Sequence, residues 1–292
     1  MKPNSLNTIA KILINLILVI LSLACIIPFA IVVSSSLTDQ QAIIENGYNL
    51  FPKVFSTLAY QYILADPSQI AKAYGVTILV TVVGTAMSLL ISACFAYVLS
   101  RRDFPYRNKL SLFLFITMIF NGGLVPGYIL VAQVLHLKNT VWSLILPYLV
   151  IPFFILLLKT YFGEIPFSLV ESAKIEGAGE LQILFKIVLP LSLPAIATVG
   201  LFIILQYWND WFLALLYIDD ADLNPLQYLL YLIMQNLNAI RMSPMQGMLT
   251  AQLPGENARM AMAVLATGPI VFAFMFVQKY FISGLTVGAI KG

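Results

Sequence analysis

The sequence Glu171-Ser172-Ala173-Lys174-Ile175-Glu176-Gly177-Ala178-Gly179, followed by Leu189-Pro190, stands between two strongly apolar segments. It is polar, rich in small residues and, through Glu171, Glu176 and Glu180, locally acidic. A membrane protein that keeps such an element in a short loop exposes it at the membrane surface, where it is available to another molecule. This stretch therefore decides how the rest of the chain is interpreted.

The spacing within this stretch predicts a helix, a tight turn and a second helix. Ser168 and Glu171 match a capping box, in which a hydroxyl and a carboxylate satisfy the free N–H groups at a helix start. Gly177 and Gly179 can adopt the left-handed conformation that ends a helix. A second short helix is expected from residue 180 to residue 188.

The composition requires a membrane. Hydrophobic residues make up 60% of the chain and charged residues 10%, whereas about a quarter of an ordinary soluble domain is charged. The net charge of +3 is explained by membrane topology and indicates no nucleic-acid partner. The chain is therefore predicted to be an integral membrane protein.

The apolar runs are long enough for about six helices that cross about 30 Å of hydrocarbon. They lack the alternation of membrane barrel strands, which predicts an all-α integral membrane protein. The predicted spans are Ile12 to Val33, Tyr74 to Leu99, Leu110 to Leu135, Val141 to Leu158, Leu191 to Leu216 and Met260 to Val277.

The positive charges set the predicted orientation. Arg101, Arg102, Arg107 and Lys109 cluster in one short loop, and short loops rich in Lys and Arg lie in the cytoplasm. Both termini are then cytoplasmic. The prediction is a single transmembrane domain over residues 1–292, with a cytoplasmic loop at 162–190 and an extracytoplasmic loop at 218–259.

The second of these loops contains its own helical pattern. Apolar residues recur at helical spacing over a run too short to cross a membrane, which predicts an amphipathic surface helix. A loop from Arg241 to Gly255 follows. It serves either as a linker or as a docking site for an outside protein. The apolar positions are Leu226, Leu229, Leu230, Ile233 and Leu237.

The cytoplasmic stretch resembles the loop motif of ATP-binding cassette importer permeases, written Glu-Ala-Ala, then Gly, then Leu-Pro. Ser172 stands where the motif has Ala, so one small residue replaces another. The segments Tyr207 to Trp211, Asn224 to Tyr228 and Gln278 to Ala289 resemble carbohydrate importer permeases, closest to the maltose-type inner subunit and its oligosaccharide-importing relatives. The resemblance implies the type I ABC importer permease fold and a subunit that moves a carbohydrate across a bacterial cytoplasmic membrane.

The resemblance also implies partners. They are a second, homologous permease subunit, two ATPase subunits that bind ATP and Mg, and an extracytoplasmic solute-binding protein. No GxxxxGK[ST] motif occurs, so the chain is expected to bind no cofactor and to hydrolyse no ATP itself. The residues expected to couple to the ATPase are Glu171, Ser172, Ala173, Gly177, Ala178 and Pro190. Those expected to contact the binding protein are Arg241, Met242, Gln246 and Met248.

Two polar sites inside apolar spans are candidates for the substrate pathway. Gln206, Asn209 and Asp210 share one helix face, and Tyr207 and Trp211 add aromatic surface. The alternative is that these aromatic rings form an interfacial belt and that Asp210 caps a helix or pairs with another group at the outer rim.

The second candidate site is in the third span. Asn121 and Tyr128 flank adjacent glycines and a proline, which predict a broken helix lining either a cavity or a packing kink.

Other functions fit less well. An ion-driven secondary transporter should bury several ionisable residues, and the spans contain only Asp210. A permease for a non-sugar solute shares the loop motif and stays open. Enzyme motifs and metal-ligand clusters are absent from the sequence. The resemblance favours an oligosaccharide, and a uronate-containing fragment of a plant or algal polysaccharide is one candidate. Against that candidate, a cavity for an acidic sugar should offer basic groups, and the spans carry none.

Overall fold

The computed structural model describes residues 5–242 and 255–289. Within these ranges the chain is helical, and an isolated bridge between Thr38 and Phe55 is the one strand-like pairing. The all-α prediction is therefore confirmed.

The helices are numbered in chain order. They are α1 (Ser5–Ser36), α2 (Gln40–Asn46), α3 (Leu58–Ile63), α4 (Pro67–Ser100), α5 (Arg107–Ile119), α6 (Leu124–Tyr128), α7 (Trp142–Ile145), α8 (Pro152–Gly163), α9 (Phe167–Ile175), α10 (Glu180–Ile183), α11 (Leu189–Leu191), α12 (Leu193–Trp208), α13 (Phe212–Tyr217), α14 (Leu226–Met242) and α15 (Glu256–Ala289). Wider π-helical turns, Ile129–Val134 and Leu184–Val188, follow α6 and α10, and short 3-10 turns lie at Leu146–Tyr148 and Ala221–Leu223.

The described residues form two compact units. The first comprises the chain up to Pro67 together with Leu232 to Gly268, and the second comprises Ser68 to Tyr231 together with the chain from Pro269. In the first unit, the buried Asn257 side chain donates to the Thr38 carbonyl at 3.3 Å. Its own carbonyl oxygen accepts from the Gly255 N–H at 3.0 Å. This amide thus connects the start of α15 with the turn after α1.

In the second unit, α8 packs against both α5 and α12. The interior is made of aliphatic side chains that are fully shielded from solvent, as expected where apolar helix faces meet. Ile155 and Leu158 of α8 and Val199 and Ile203 of α12 are all buried.

Two single helices are each long and apolar enough to cross a membrane, namely Ala10–Ser36 and Pro67–Ser100. Three helix pairs pass the same test only together, because each bends by more than 40° at a short break. The described residues therefore contain two to five such spans. The sixth predicted span lies inside α15, and the total of six stays a prediction.

The predicted span Leu110 to Leu135 is two helices rather than one, as the predicted break in it requires. The chain turns by 110° between α5 and the segment Leu124–Val134. Gly123 has φ +89 at the break, a conformation that glycine adopts without steric cost. The sequence predicted a broken helix here, and the break falls at the glycines rather than at Pro126, which lies inside α6.

The predicted span Leu191 to Leu216 is wrong as a continuous helix. The observed helix α12 ends at Trp208, and a second, short helix, α13, begins at Phe212. Asp210 accepts the Leu213 backbone N–H at 3.1 Å, which satisfies a free donor at the start of α13. A hydropathy window cannot detect such an interruption, because the residues on both sides are equally apolar.

The predicted amphipathic helix is confirmed as α14. Its apolar stripe is buried, with Leu226, Leu229, Leu230 and Leu237 each at most 5% exposed. Burial of one face explains why a helix that is too short to span nevertheless carries five regularly spaced aliphatic residues.

Candidate functional site

The stretch around Glu171 folds as the predicted hairpin, but its first helix starts differently. Pro166 occupies the N-cap position and α9 begins at Phe167, with no side chain capping it. The capping box of Ser168 and Glu171 is therefore wrong. Ser168 lies one position inside the helix, since the fixed φ of Pro166 starts the helix earlier.

The turn between the two arms is a glycine-terminated helix end. Gly177 has φ +86, and the Ala178 N–H donates to the Ala173 carbonyl at 2.9 Å while the Gly177 N–H donates to the Lys174 carbonyl at 3.0 Å. Such bonds satisfy the last carbonyls of α9. Gly179 takes no left-handed conformation. It caps α10 with φ −74, and its N–H donates to the Gln182 side chain at 3.2 Å.

The predicted coupling residues fall on two sides of this hairpin. Glu171, Ser172 and Gly177 are exposed, whereas Ala173 is buried and Ala178 is half-buried. Pro190 lies in α11 and is exposed. The sequence analysis missed two apolar side chains at the tip, because helical spacing alone gave no reason to place them outward. They are Ile175, 87% exposed, and Leu181, 69% exposed.

A group of charged side chains holds the hairpin against the end of α4. Arg101 is 7% exposed. It donates from Nε and Nη2 to the two Asp103 carboxylate oxygens at 3.0 and 2.9 Å. Lys174 Nζ lies 3.1 Å from Asp103 and 2.8 Å from Glu180. Tyr97 donates its hydroxyl to Glu180. These five residues are called the Arg101 cluster below.

The electrostatics of the cluster correct one inference from the sequence. Glu180 was grouped with Glu171 and Glu176 as an acidic surface, but its carboxylate is paired internally with Lys174. The Arg101 guanidinium, joined by the Lys174 ammonium, holds the pKa of Asp103 well below its usual range. The hydrogen bonds to Glu180 and Asp103 raise the pKa of Lys174. The charged side chains of the cluster are thus ionised at neutral pH.

A cavity of about 420 Å³ opens beside the end of α12. It brings together four of the residues predicted for the substrate pathway, Gln206, Asn209, Asp210 and Trp211, and it adds aromatic and aliphatic side chains that the sequence did not single out. The complete lining is Phe154, Phe202, Leu205, Gln206, Asn209, Asp210, Trp211 and Phe212.

The polar wall of this cavity is held in place by neighbouring groups. Asp210 accepts from the Tyr148 hydroxyl at 2.9 Å as well as from the Leu213 N–H. Asn209 donates from Nδ2 to the Leu205 carbonyl at 2.9 Å. Trp211 stacks on Tyr231 with ring centroids 4.8 Å apart. Tyr148 was missed because nothing in the sequence links it to a residue 62 positions away.

Three predicted pathway residues lie elsewhere. Tyr207 is 3% exposed and donates its hydroxyl to the Ile145 carbonyl at 2.9 Å, so it packs between helices rather than lining the cavity. Tyr128 stacks on Tyr217 with centroids 5.7 Å apart. Asn121 accepts the Gly123 N–H at 2.9 Å and shapes the break before α6.

The predicted contacts to a binding protein fall at the edge of the described chain. Arg241 and Met242 are the last two residues of α14. Gln246 and Met248 lie outside the described residues. Within those residues, no group of three or more His, Cys, Asp or Glu side chains could hold a metal ion.

Comparisons with known proteins match nearly the whole chain. A family model described as the binding-protein-dependent transport system inner membrane component matches residues 4–287. The polygalacturonan/rhamnogalacturonan transport system permease protein YtcP of Bacillus subtilis (strain 168) is 40% identical over 98% of this chain and 99% of its own. The trehalose/maltose transport system permease protein MalG of Thermococcus litoralis is 28% identical, covering 98% and 99% respectively.

A solved structure shares the fold. It is the crystal structure of a bacterial ABC transporter involved in the import of the acidic polysaccharide alginate, and it covers 96% of this chain and 99% of its own with a TM-score of 0.77 and 27% identity. The expected importer permease fold is confirmed. This chain belongs to the family of binding-protein-dependent transport system inner membrane components.

Proposed function

We propose that this chain is one of two translocation subunits of an ATP-driven importer whose cargo is an oligosaccharide. The single observation that carries the cargo class is the composition of the cavity wall. Amide and carboxylate groups of Gln206, Asn209 and Asp210 lie beside the rings of Trp211 and Phe212. A few fixed polar groups beside aromatic faces form a pocket that orients a ligand which is both polar and ring-shaped.

The pocket is rigid at the positions that matter. Two hydrogen bonds hold the Asp210 carboxylate, and stacking on Tyr231 holds the Trp211 ring. Because these side chains are already ordered, binding a ligand costs little further side-chain entropy in the wall. The relatives named above for polygalacturonan, maltose and alginate transport support a sugar as the cargo.

The charge of the cavity wall bears on which sugar is carried. Among the described residues, the lining contains one carboxylate and no Lys or Arg. An acidic sugar placed against it would meet a carboxylate and no cationic partner. The proposed cargo is therefore neutral where it contacts this subunit, although two of the related systems carry names of acidic polymers.

The energy would come from separate subunits. The hairpin exposes Glu171 next to a turn flanked by the apolar side chains of Ile175 and Leu181. An exposed apolar pair with a charged neighbour suits insertion of a short helix into a groove. The proposed occupant is one of two ATPase subunits, which bind ATP and Mg, while an outer solute-binding protein delivers the sugar and a second permease completes the pathway across the bacterial cytoplasmic membrane.

The test is reconstitution of the assembled complex in liposomes. Neutral and uronate-containing oligosaccharides of equal length are supplied with the binding protein, and ATP hydrolysis and uptake are measured together. Uptake of sugar that depends on ATP, and its loss in Glu171→Lys with the complex still assembled, are expected. Uptake of a polyamine or phosphate instead would overturn the sugar assignment, and uptake driven by an ion gradient without ATP would overturn the importer assignment.

A further inference from the structure

The Arg101 cluster connects both arms of the hairpin to one end of α4. Arg101 lies directly after α4, and its guanidinium reaches Glu180 of α10 at 3.8 Å. Asp103, which Arg101 holds with two hydrogen bonds, is also bound by Lys174 of α9. The hairpin is therefore attached to α4 through each of its helices.

Packing strengthens this attachment. The Arg101 guanidinium carbon lies 5.5 Å from the centroid of the Phe167 ring, at the start of α9, and 5.7 Å from the centroid of the Tyr97 ring in α4. A guanidinium close to two rings gains cation–π attraction, which is larger when water is excluded. A planar group that also binds a carboxylate through two parallel bonds has a fixed orientation.

A buried charge of this kind resists separation from its partners. Moving the hairpin away from α4 would take the Glu180 carboxylate from Arg101, which is only 7% exposed, and the Lys174 ammonium from Asp103. A buried charge that loses its partners is strongly destabilising. The hairpin and the end of α4 should therefore move together rather than slide past each other.

The helix that carries Arg101 leads toward the cavity. α4 runs without a break from Pro67 to Ser100, and at Gly84 it meets the ring of Tyr207 in α12. Tyr207 adjoins Gln206, which lines the cavity. A displacement of the hairpin thus has a continuous, rigid route through α4 to the helix that bears the polar wall.

We propose that Arg101 is a positioning residue that transmits movement of the hairpin to α4. The inference rests on the proposed function, since it assumes that an ATPase moves the hairpin. Asp103 and Glu180 are its two attachment points, and Lys174 completes the connection to α9. The neighbouring Arg102, which is exposed, serves as a matched control of the same type and charge.

The functional test measures sugar transported per ATP hydrolysed in the reconstituted complex. Arg101→Gln should lower this ratio about five-fold or more, the size of a typical coupling interaction, with ATP hydrolysis retained. Arg101→Lys keeps the charge but loses the planar fork and should be intermediate. Arg102→Gln should match the wild type. Glu180→Ala, which removes an attachment point and keeps the buried guanidinium, should also lower the ratio.

A distance measurement tests the mechanical part directly. Spin labels at Val98 and Glu176, in a chain with Cys25 and Cys94 replaced by alanine, report the separation of α4 and the hairpin by electron resonance. In the otherwise unsubstituted chain one narrow distance should persist with and without ATP. In Arg101→Gln the distribution should broaden or differ between the two conditions.

The outcomes separate the two proposals. A wild-type complex that neither hydrolyses ATP in response to the binding protein nor takes up sugar would overturn the proposed function and this inference with it. A coupled wild type whose ratio and label distances are unchanged in Arg101→Gln and Glu180→Ala would overturn this inference alone. If Arg101→Gln fails to assemble, Glu180→Ala and the wild-type label distances decide.

Discussion

The ring of Tyr207 occupies the space that a side chain at Gly84 would need. A Cβ built on Gly84 would lie 2.6 Å from Tyr207 Cζ, far closer than such atoms approach. The ring cannot move aside freely, because its hydroxyl is bonded to the Ile145 carbonyl and the residue is 3% exposed. Contact between α4 and α12 at this point thus depends on the absence of a side chain.

Gly84→Ala is therefore expected to destabilise the protein despite the higher helix propensity of alanine. Overpacking of this kind costs about 1–3 kcal/mol. Gly75 is the control, since it lies in the same helix and a Cβ added there would meet no atom within 4 Å. Gly75→Ala should be neutral or stabilising by about 0.5–1 kcal/mol. Thermal unfolding in detergent measures both. Equal stability of the two variants would contradict the close contact.

Gly177→Ala is expected to weaken the hairpin because Gly177 has φ +86. Alanine in a left-handed conformation costs about 1 kcal/mol or more, and Gly177→Asn should cost less because asparagine tolerates that region. Gly179→Ala is the control, since Gly179 has φ −74 and open space where a Cβ would lie. Uptake by the reconstituted complex should be highest in Gly179→Ala, lower in Gly177→Asn and lowest in Gly177→Ala. A reversed order would show that the turn conformation is unimportant.

Much of the fold was predictable because it depends on local sequence. The helices of the hairpin, the turn at Gly177 and the buried face of α14 all follow from residues that are close together in the chain. The direction of the chain was not predictable. The glycines predicted the break at Gly123, but nothing in the sequence set the 110° angle of the bend. Hydropathy measures composition, so the interruption at Asp210 was absorbed into a continuous predicted span.

The contacts that organise the site were hidden for a different reason. Lys174 meets Asp103 from 71 positions away, and Tyr148 meets Asp210 from 62. One sequence gives no signal for such pairs. Gln206, Asn209 and Asp210 were grouped on one face by helical spacing, and all three line the cavity, whereas Tyr207 was included only because it is aromatic and adjacent.

Trp211→Ala is expected to lower sugar uptake at limiting sugar concentration. The substitution removes an aromatic wall of the cavity and its stacking on Tyr231, so affinity along the pathway should fall more than maximal rate. Trp142→Ala is the control, because Trp142 is 46% exposed and is not part of the cavity lining. Uptake measured over a range of sugar concentrations separates affinity from rate. Equal effects of both substitutions would indicate a general loss of interfacial tryptophan.

The ionic state of Asp103 predicts how stability depends on pH. Hydrogen bonds from Arg101, supported by Lys174, lower the pKa of Asp103 in the folded protein, so the carboxylate stabilises the fold fully above its unfolded pKa of about 4. That stabilisation is lost progressively as the pH falls below about 4 toward the folded-state value. Asp103→Asn should therefore lower the Tm at pH 7, and the gap from wild type should shrink as the pH is taken from about 5 to about 3.

The matched control for this experiment is Glu176→Gln, which removes an exposed carboxylate of the same hairpin. Its Tm should follow that of the wild type at each pH. The Tm difference between Asp103→Asn and the wild type should also persist at raised salt. Arg101 is shielded from solvent, and dissolved ions screen a buried charge less than an exposed one. A gap that widens on acidification would mean that Asp103 is destabilised by its surroundings, and the Arg101 cluster would then not hold the hairpin through its charge.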